Sequence, residues 1–291
     1  MTLYFVGLGL SISHLTLKAI EVLRKVDKIY IDTYTNIVPD FDLDVLKSII
    51  GSKKKFVFAS RKDLEGVNIS RIVDEAREND IAILVPGDPF IATTHDAIRV
   101  EALSRGVSVE TVHGISIYSA IASATGLQAY RFGKTVTLVR PSVSKPFSVI
   151  ETIYANLKLN LHTLVLLDLK LEEGYAMTIN EAVEILRELE KEYSDEQLLR
   201  GVIGIGVARL ATRDQVIKAD LLYNLKNYSY PPPPHSIVIV AKPHPIELDL
   251  LKYIGDLPDN IYQILLKSKE YPPIREMLIY HSRNSIHQIC G

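Results

Sequence analysis

Five short β-prone runs alternate with amphipathic helical patterns through the first third of the chain, and this alternation narrows the possible folds more than any other feature. The runs are Leu3–Val6, Lys28–Ile31, Phe56–Phe58, Ile81–Val85 and Val107–Val112, of strand length and rich in β-branched residues. Helical patterns fill the intervals at about 15–25, 42–50, 68–78 and 94–104. Strands joined through helices make right-handed crossovers, which gives a mainly parallel sheet covered on both faces. Gly106 stands where the last of these helices needs a C-terminal cap.

The pattern changes near residue 113. A helix is expected over Tyr118–Ala124, ended by Gly126. Strand-like segments follow at Thr135–Val139, Thr163–Asp168, Val202–Ala208 and Ser236–Ala241, separated by one acidic–basic helix at 178–193 and by loops. A further helix is expected at 214–220, before the tetraproline Pro231–Pro234, and the segment from Pro245 reads as helical and peripheral. The expectation is two α/β domains, 1–112 with a mostly parallel sheet and 113–291 with a mixed one.

Composition removes several function classes. At 291 residues with 47% hydrophobic and 23% charged residues, the chain is globular rather than disordered. A net charge of −2 leaves no basic footprint for nucleic acid. Cys290 is the single cysteine, so neither an intrachain disulfide nor a thiolate metal cluster can form, and a cytoplasmic location is expected. No signal peptide or membrane-spanning run is visible, and the 8 histidines show no metal-ligand spacing. Few Cys and Met, no Trp and many Ile, Leu, Lys and Glu suggest a thermophile.

Two strand ends carry the chemistry. Val6-Gly7-Leu8-Gly9-Leu10 closes the first run, and Pro86-Gly87-Asp88-Pro89 closes the fourth. Loops at the carboxyl edge of an open α/β sheet are where ligands bind. Ile12 stands where a dinucleotide fingerprint needs a third glycine, and no Gly-Lys-Ser/Thr occurs, so neither a Rossmann loop nor a P-loop is present. Asp88 before Pro89 also suits a simple helix cap. Ser116 is placed to cap a helix whose first amides are free for a ligand. His235, after four prolines, has the weaker case from sequence alone.

Taken together these segments resemble the tetrapyrrole-methylase superfamily of S-adenosylmethionine-dependent methyltransferases. Within it they resemble the diphthine synthase family, through Tyr34-Thr35, Thr93-Thr94-His95, His113-Gly114-Ile115-Ser116-Ile117, Gly126-Leu127-Gln128, Tyr130-Arg131-Phe132-Gly133, Gly206-Val207-Ala208-Arg209 and Pro232-Pro233-Pro234-His235-Ser236. Ser11-Ile12-Ser13-His14 departs from the family's Asp-containing stretch. The resemblance implies two α/β domains with the cofactor in the cleft between them, and a homodimer. It implies methylation, three times on one nitrogen, of the amino group of the modified histidine of translation elongation factor 2 during diphthamide synthesis. The product from the cofactor is S-adenosylhomocysteine, and neither nucleic acid nor membrane is a partner. Cofactor contacts carried over are Leu10, Asp88, Ile91, Ser116, Ile117, Leu167, Leu210 and His235. No metal is implied, and no general base is assignable. The rival enzyme is a uroporphyrinogen or precorrin methyltransferase of the same fold; a rival of another class is a non-catalytic cofactor-binding module.

Overall fold

The computed structural model describes residues 1–141, 145–194, 198–267 and Tyr271. They form two compact units. The first comprises Met1–Ala120 with the short pieces Leu169–Tyr175 and Ala211–Arg213; the second takes Ile121–Asp168, Ala176–Leu210 and the residues from Asp214. The division therefore falls inside the helix that follows His113, rather than at residue 112.

In the first unit the strands are β1 (Thr2–Gly9), β2 (Lys28–Asp32), β3 (Lys55–Ala59), β4 (Ile81–Pro86) and β5 (Ser108–Val112). They pair in the order β3-β2-β4-β1-β5, every pair parallel. Helices α1 (Leu17–Lys25), α2 (Leu43–Ile50), α3 (Arg61–Leu64), α4 (Ile69–Glu78) and α5 (Asp96–Ser104) connect them. Side-chain alternation along each strand feeds two cores. Leu3, Phe5, Ile81 and Ile83 pack with Val73, Ala76, Ile98 and Ala102 of α4 and α5. Tyr4, Val6, Ala82 and Leu84 pack with Ala19, Leu23, Leu46 and Ile50 of α1 and α2. Burial on both faces explains why Ile81–Val85 is an unbroken apolar run.

Helix α6 (Ile117–Thr125) leads into the second unit. There β6 (Val136–Leu138), α7 (Phe147–Lys158), β7 (Thr163–Leu167), α8 (Ile179–Tyr193), β10 (Ile203–Ala208), β11 (Val216–Leu221) and β12 (His235–Val240) follow one another; the short β8 (Leu169–Lys170) and β9 (Tyr175–Ala176), which pair between β7 and α8 in chain order, fall on the piece Leu169–Tyr175 of the first unit and its junction with the second. The sheet order is β11-β10-β12-β7-β6, with only β6 and β7 parallel. Helices α9 (Pro245–Gly255) and α10 (Asp259–Lys267) close the described chain; Cys290 lies outside it. No helix of the described residues is long and apolar enough to cross a membrane.

Two expectations fail here. The segment expected as a helix at 214–220 is strand β11, paired antiparallel to β10 from Ala208↔Val216 to Ile203↔Leu221. Its polar Arg213-Asp214-Gln215 start imitates a helix cap, but the β10 edge supplies backbone partners that a helix could not use. Helix α7 was expected as loop. Val149, Ile150, Ile153, Tyr154 and Leu157 are its buried apolar positions, a spacing of three and four that is readable in the sequence.

Candidate functional site

The carboxyl ends of the three adjacent strands β4, β1 and β5 are stitched together by backbone. Gly9 and Gly87 exchange hydrogen bonds, Gly9 N to Gly87 O at 3.1 Å and Gly87 N to Gly9 O at 2.9 Å. A Cβ on Gly7 would lie 2.5 Å from Gly114 N, and one on Gly114 would lie 2.2 Å from Gly87 O. No side chain fits between these main chains. Gly87 differs: its φ of 72° favours glycine, while the space beside it is open to Ser116 at 3.8 Å.

Asp88 is not a helix cap. Helix α5 begins only at Asp96, and the Asp88 carboxylate serves its own edge instead. Oδ1 accepts from Phe90 N at 3.1 Å; Oδ2 accepts from Gly114 N at 3.3 Å and lies 2.8 Å from His113 Nδ1. It thereby ties the β4 loop to the β5 loop.

Leu10 is buried on the β1 loop, its amide donating to His14 Nδ1 at 3.3 Å. Where the first loop lacks the family's acid, Asp40 comes in from elsewhere. It accepts from Ser11 Oγ at 2.5 Å and Ile12 N at 3.2 Å. Ile91 is half exposed on the β4 loop. Ser116 is buried, and its carbonyl accepts from Ser119 N and Ala120 N; the amides of Ile117 and Tyr118 precede that first helical bonding. Leu10, Asp88, Ile91, Ser116 and Ile117 thus belong to one strand-end cluster in the first unit.

The other three expected residues gather in the second unit. Leu167 ends β7, Leu210 follows β10, and His235 opens β12. Ala208↔His235 and Leu166↔Ser236 are register neighbours, and Arg209 N donates to Pro234 O at 2.9 Å, so the three positions share one sheet edge. His235 is not a surface residue: it is buried, and both ring nitrogens are engaged. Nε2–H donates to the Pro231 carbonyl at 2.7 Å, and Nδ1 accepts from Ile179 N at 3.2 Å. Burial holds its pKa below the ordinary imidazole value. The ring therefore clamps the proline loop to the start of α8, leaving carbons and main chain for a ligand. His235→Ala is expected to strand those two backbone groups and cost roughly 2 kcal/mol. Urea titration checks the loss; a large drop in cofactor affinity at unchanged stability would contradict the clamp.

One pair near the first loop escaped sequence reasoning. His95 is fully buried with Nε2 3.4 Å from Asp32 Oδ2, while Asp32 accepts from Tyr34 N at 2.9 Å and Thr35 N at 3.2 Å. Burial lowers the His95 pKa below the ordinary imidazole value. The Thr93-Thr94-His95 run marked it, but nothing in the sequence paired it with Asp32.

The geometry can now be set beside known proteins. The family model for tetrapyrrole (corrin/porphyrin) methylases matches residues 2–225. A diphthine synthase of Staphylothermus marinus is 64% identical over 270 residues, covering 93% of this chain and 100% of its own. One of Methanosarcina barkeri is 37% identical over 263 residues, covering 88% and 97%. A crystal structure of diphthine synthase superposes with a TM-score of 0.79 at 34% identity, covering 90% of this chain and 99% of that one. The chain belongs to the diphthine synthase family. It is an S-adenosylmethionine-dependent methyltransferase of the tetrapyrrole-methylase fold.

Members of the diphthine synthase family use a cofactor that presents a methyl group on a sulfonium, open to direct in-line displacement. The first-unit cluster fits such a group by its chemistry. The side-chain-free main chain of Gly7, Gly87 and Gly114 lets a ligand approach the strand ends closely, Ile91 offers an apolar surface, and the leading amides of α6 offer donors. The chain's task is mainly to hold and align, since displacement at a methyl carbon needs little acid–base machinery beyond an unprotonated nucleophile.

Proposed function

We propose that this protein methylates the amino group of the modified histidine of translation elongation factor 2, in the diphthamide pathway. The product is the trimethylated diphthine, formed by three successive transfers to one nitrogen. What carries the reading is end-to-end likeness: the 64% identical relative is named diphthine synthase and is covered over 100% of its length. The stitched Gly9–Gly87 loops with Asp88 between them support it as a methylase edge. We further propose that Leu10, Asp88, Ile91, Ser116, Ile117, Leu167, Leu210 and His235 contact the cofactor, and that the protein works as a cytoplasmic homodimer.

The deciding experiment incubates the protein with S-adenosylmethionine labelled in its methyl group and an archaeal elongation factor 2 that carries the unmethylated modified histidine. Label should enter the factor, and product mass counts the methyl groups. An unlabelled factor beside a labelled tetrapyrrole would overturn the reading. Calorimetry should show binding of S-adenosylhomocysteine and none of NAD. With S-adenosylhomocysteine at ~100 times its dissociation constant, mass action should add about 2.7 kcal/mol of stability. Hydrogen exchange should then slow at both 86–91 and 232–236; slowing at 86–91 alone would remove Leu167, Leu210 and His235 from the contacts.

A further inference from the structure

His113 and Asp88 are 25 residues apart in sequence and meet at the carboxyl edge of the first sheet, with His113 Nδ1 2.8 Å from Asp88 Oδ2. Their exposures are opposite. The Asp88 side chain is 8% exposed and that of His113 is 77% exposed. Asp88 cannot swing away, because Phe90 N and Gly114 N hold its two oxygens. An ionised carboxylate only accepts, so the hydrogen in this contact sits on Nδ1. That choice leaves the lone pair on Nε2, which has no partner among the described residues and faces outward from the ring. A buried carboxylate fixing one ring nitrogen while the other stands free is the arrangement that makes imidazole a proton acceptor.

We propose that Asp88 and His113 form the proton-accepting dyad of this methyltransferase, with Nε2 of His113 taking the proton from the acceptor amine. The inference rests on an amine being the methyl acceptor, as proposed above. An ammonium nitrogen has no lone pair to give. Proton transfer from it to His113 Nε2 frees that pair. The pair forms the new N–C bond as the C–S bond breaks, and the electrons of that bond return to sulfur, which becomes a neutral thioether. The imidazolium charge is offset by the Asp88 carboxylate, and the exposed ring passes its proton to water before the next transfer. The other described imidazoles are poorer candidates: His14 and His244 accept a backbone N–H at Nδ1, which leaves the hydrogen on Nε2. His235 and His162 have both ring nitrogens bonded, and His95 is fully buried. The fixed position of the dyad follows from the contact of Gly114 with Gly7 and Gly87, which seats His113 on the same strand ends as the cofactor loops.

The test has two parts. In the ligand-free protein, nitrogen-15 NMR should show the neutral His113 ring carrying its hydrogen on Nδ1. A ring protonated at Nε2 in its neutral form would overturn the proposal without reference to activity. In the methylation assay, His113→Ala should lower kcat by about 100-fold or more. It should leave S-adenosylhomocysteine affinity unchanged by calorimetry and regain part of its rate from added imidazole. An active wild type with an unaltered kcat in His113→Ala overturns the dyad alone. A wild type that leaves elongation factor 2 unlabelled overturns the acceptor amine, and with it the role of Nε2.

Discussion

Gly114→Ala is expected to weaken cofactor binding sharply while leaving most of the fold in place. The added Cβ would lie 2.2 Å from the Gly87 carbonyl oxygen and 2.9 Å from Gly7 Cα. Both neighbours are main chain in a closed sheet edge, so neither can swing aside as a flexible side chain would. The β4 and β5 loops must part, and the contacts of Asp88 with Gly114 N and His113 part with them. Overpacking of this kind costs about 1–3 kcal/mol of stability. A like cost to the ligand-binding geometry, at about 1.4 kcal/mol per tenfold, lowers affinity by roughly tenfold to a hundredfold. Calorimetric titration with S-adenosylhomocysteine reads the affinity and urea melting reads the fold. Gly51→Ala is the control, since Gly51 has a φ of 100° but open space around it. That variant should lose about 1–3 kcal/mol of stability through backbone strain alone, with affinity intact. Equal affinities for Gly114→Ala and wild type would show that the stitched edge does not hold the ligand.

Glu247→Ala should produce the largest loss of stability. Glu247 on α9 is buried, with its side chain 1% exposed, and it pairs with Arg131. It also accepts from His162 Nε2 at 3.3 Å, Gln128 N at 2.9 Å and His244 N at 2.7 Å. Burial by itself pushes the carboxyl pKa up; these donors outweigh it and hold it down at about 2, against an ordinary 4.5. Removing the carboxylate leaves a cation and several donors buried without a partner, at a cost of about 3–5 kcal/mol. Because the folded pKa lies below the unfolded one, this stabilisation is present above about pH 4.5. It drains away as the pH falls toward about 2. Acid weakens the protein earlier through its buried imidazoles. His95, His162 and His235 all have folded pKa values lowered from 6.5 by burial, so the unfolded chain binds protons first and stability declines below about pH 6.5. Chemical denaturation followed by circular dichroism from pH 7 to 3 should show both stages. The lower stage should be missing in Glu247→Ala, and its persistence would mean that other carboxylates govern acid unfolding.

Legibility in the chain followed the way each element is buried. Strands β1 and β4 were readable because a sheet covered on both faces demands unbroken apolar runs; the edge strands β3 and β5 are only partly buried and were readable from their β-branched and aromatic residues between helical patterns. Helix α7 is equally periodic, but Pro146 and the residues before it read as loop and mask its start. Strand β11 reads locally as a helix start, and only the free edge of β10 makes it a strand. His235 shows the same limit within the site. Its setting after four prolines suggested a surface residue, whereas the fold buries it and engages both of its nitrogens with backbone.

Local pattern by itself determined the layered α/β architecture, the two strand-end loops and the absence of a dinucleotide fingerprint. Each depends on neighbours in the chain, through side-chain periodicity and the backbone freedom of glycine. Tertiary structure decided which polar groups are spent and which remain free. Asp88 meets His113 across 25 residues, Asp40 reaches Ser11 across 29, and Glu247 meets Arg131 across 116. Hydrogen-bond partners at such separations are chosen by strand order and register, because packing brings together groups that no local spacing relates. Whether a carboxylate or an imidazole can act on a ligand therefore emerged only once the sheets had closed.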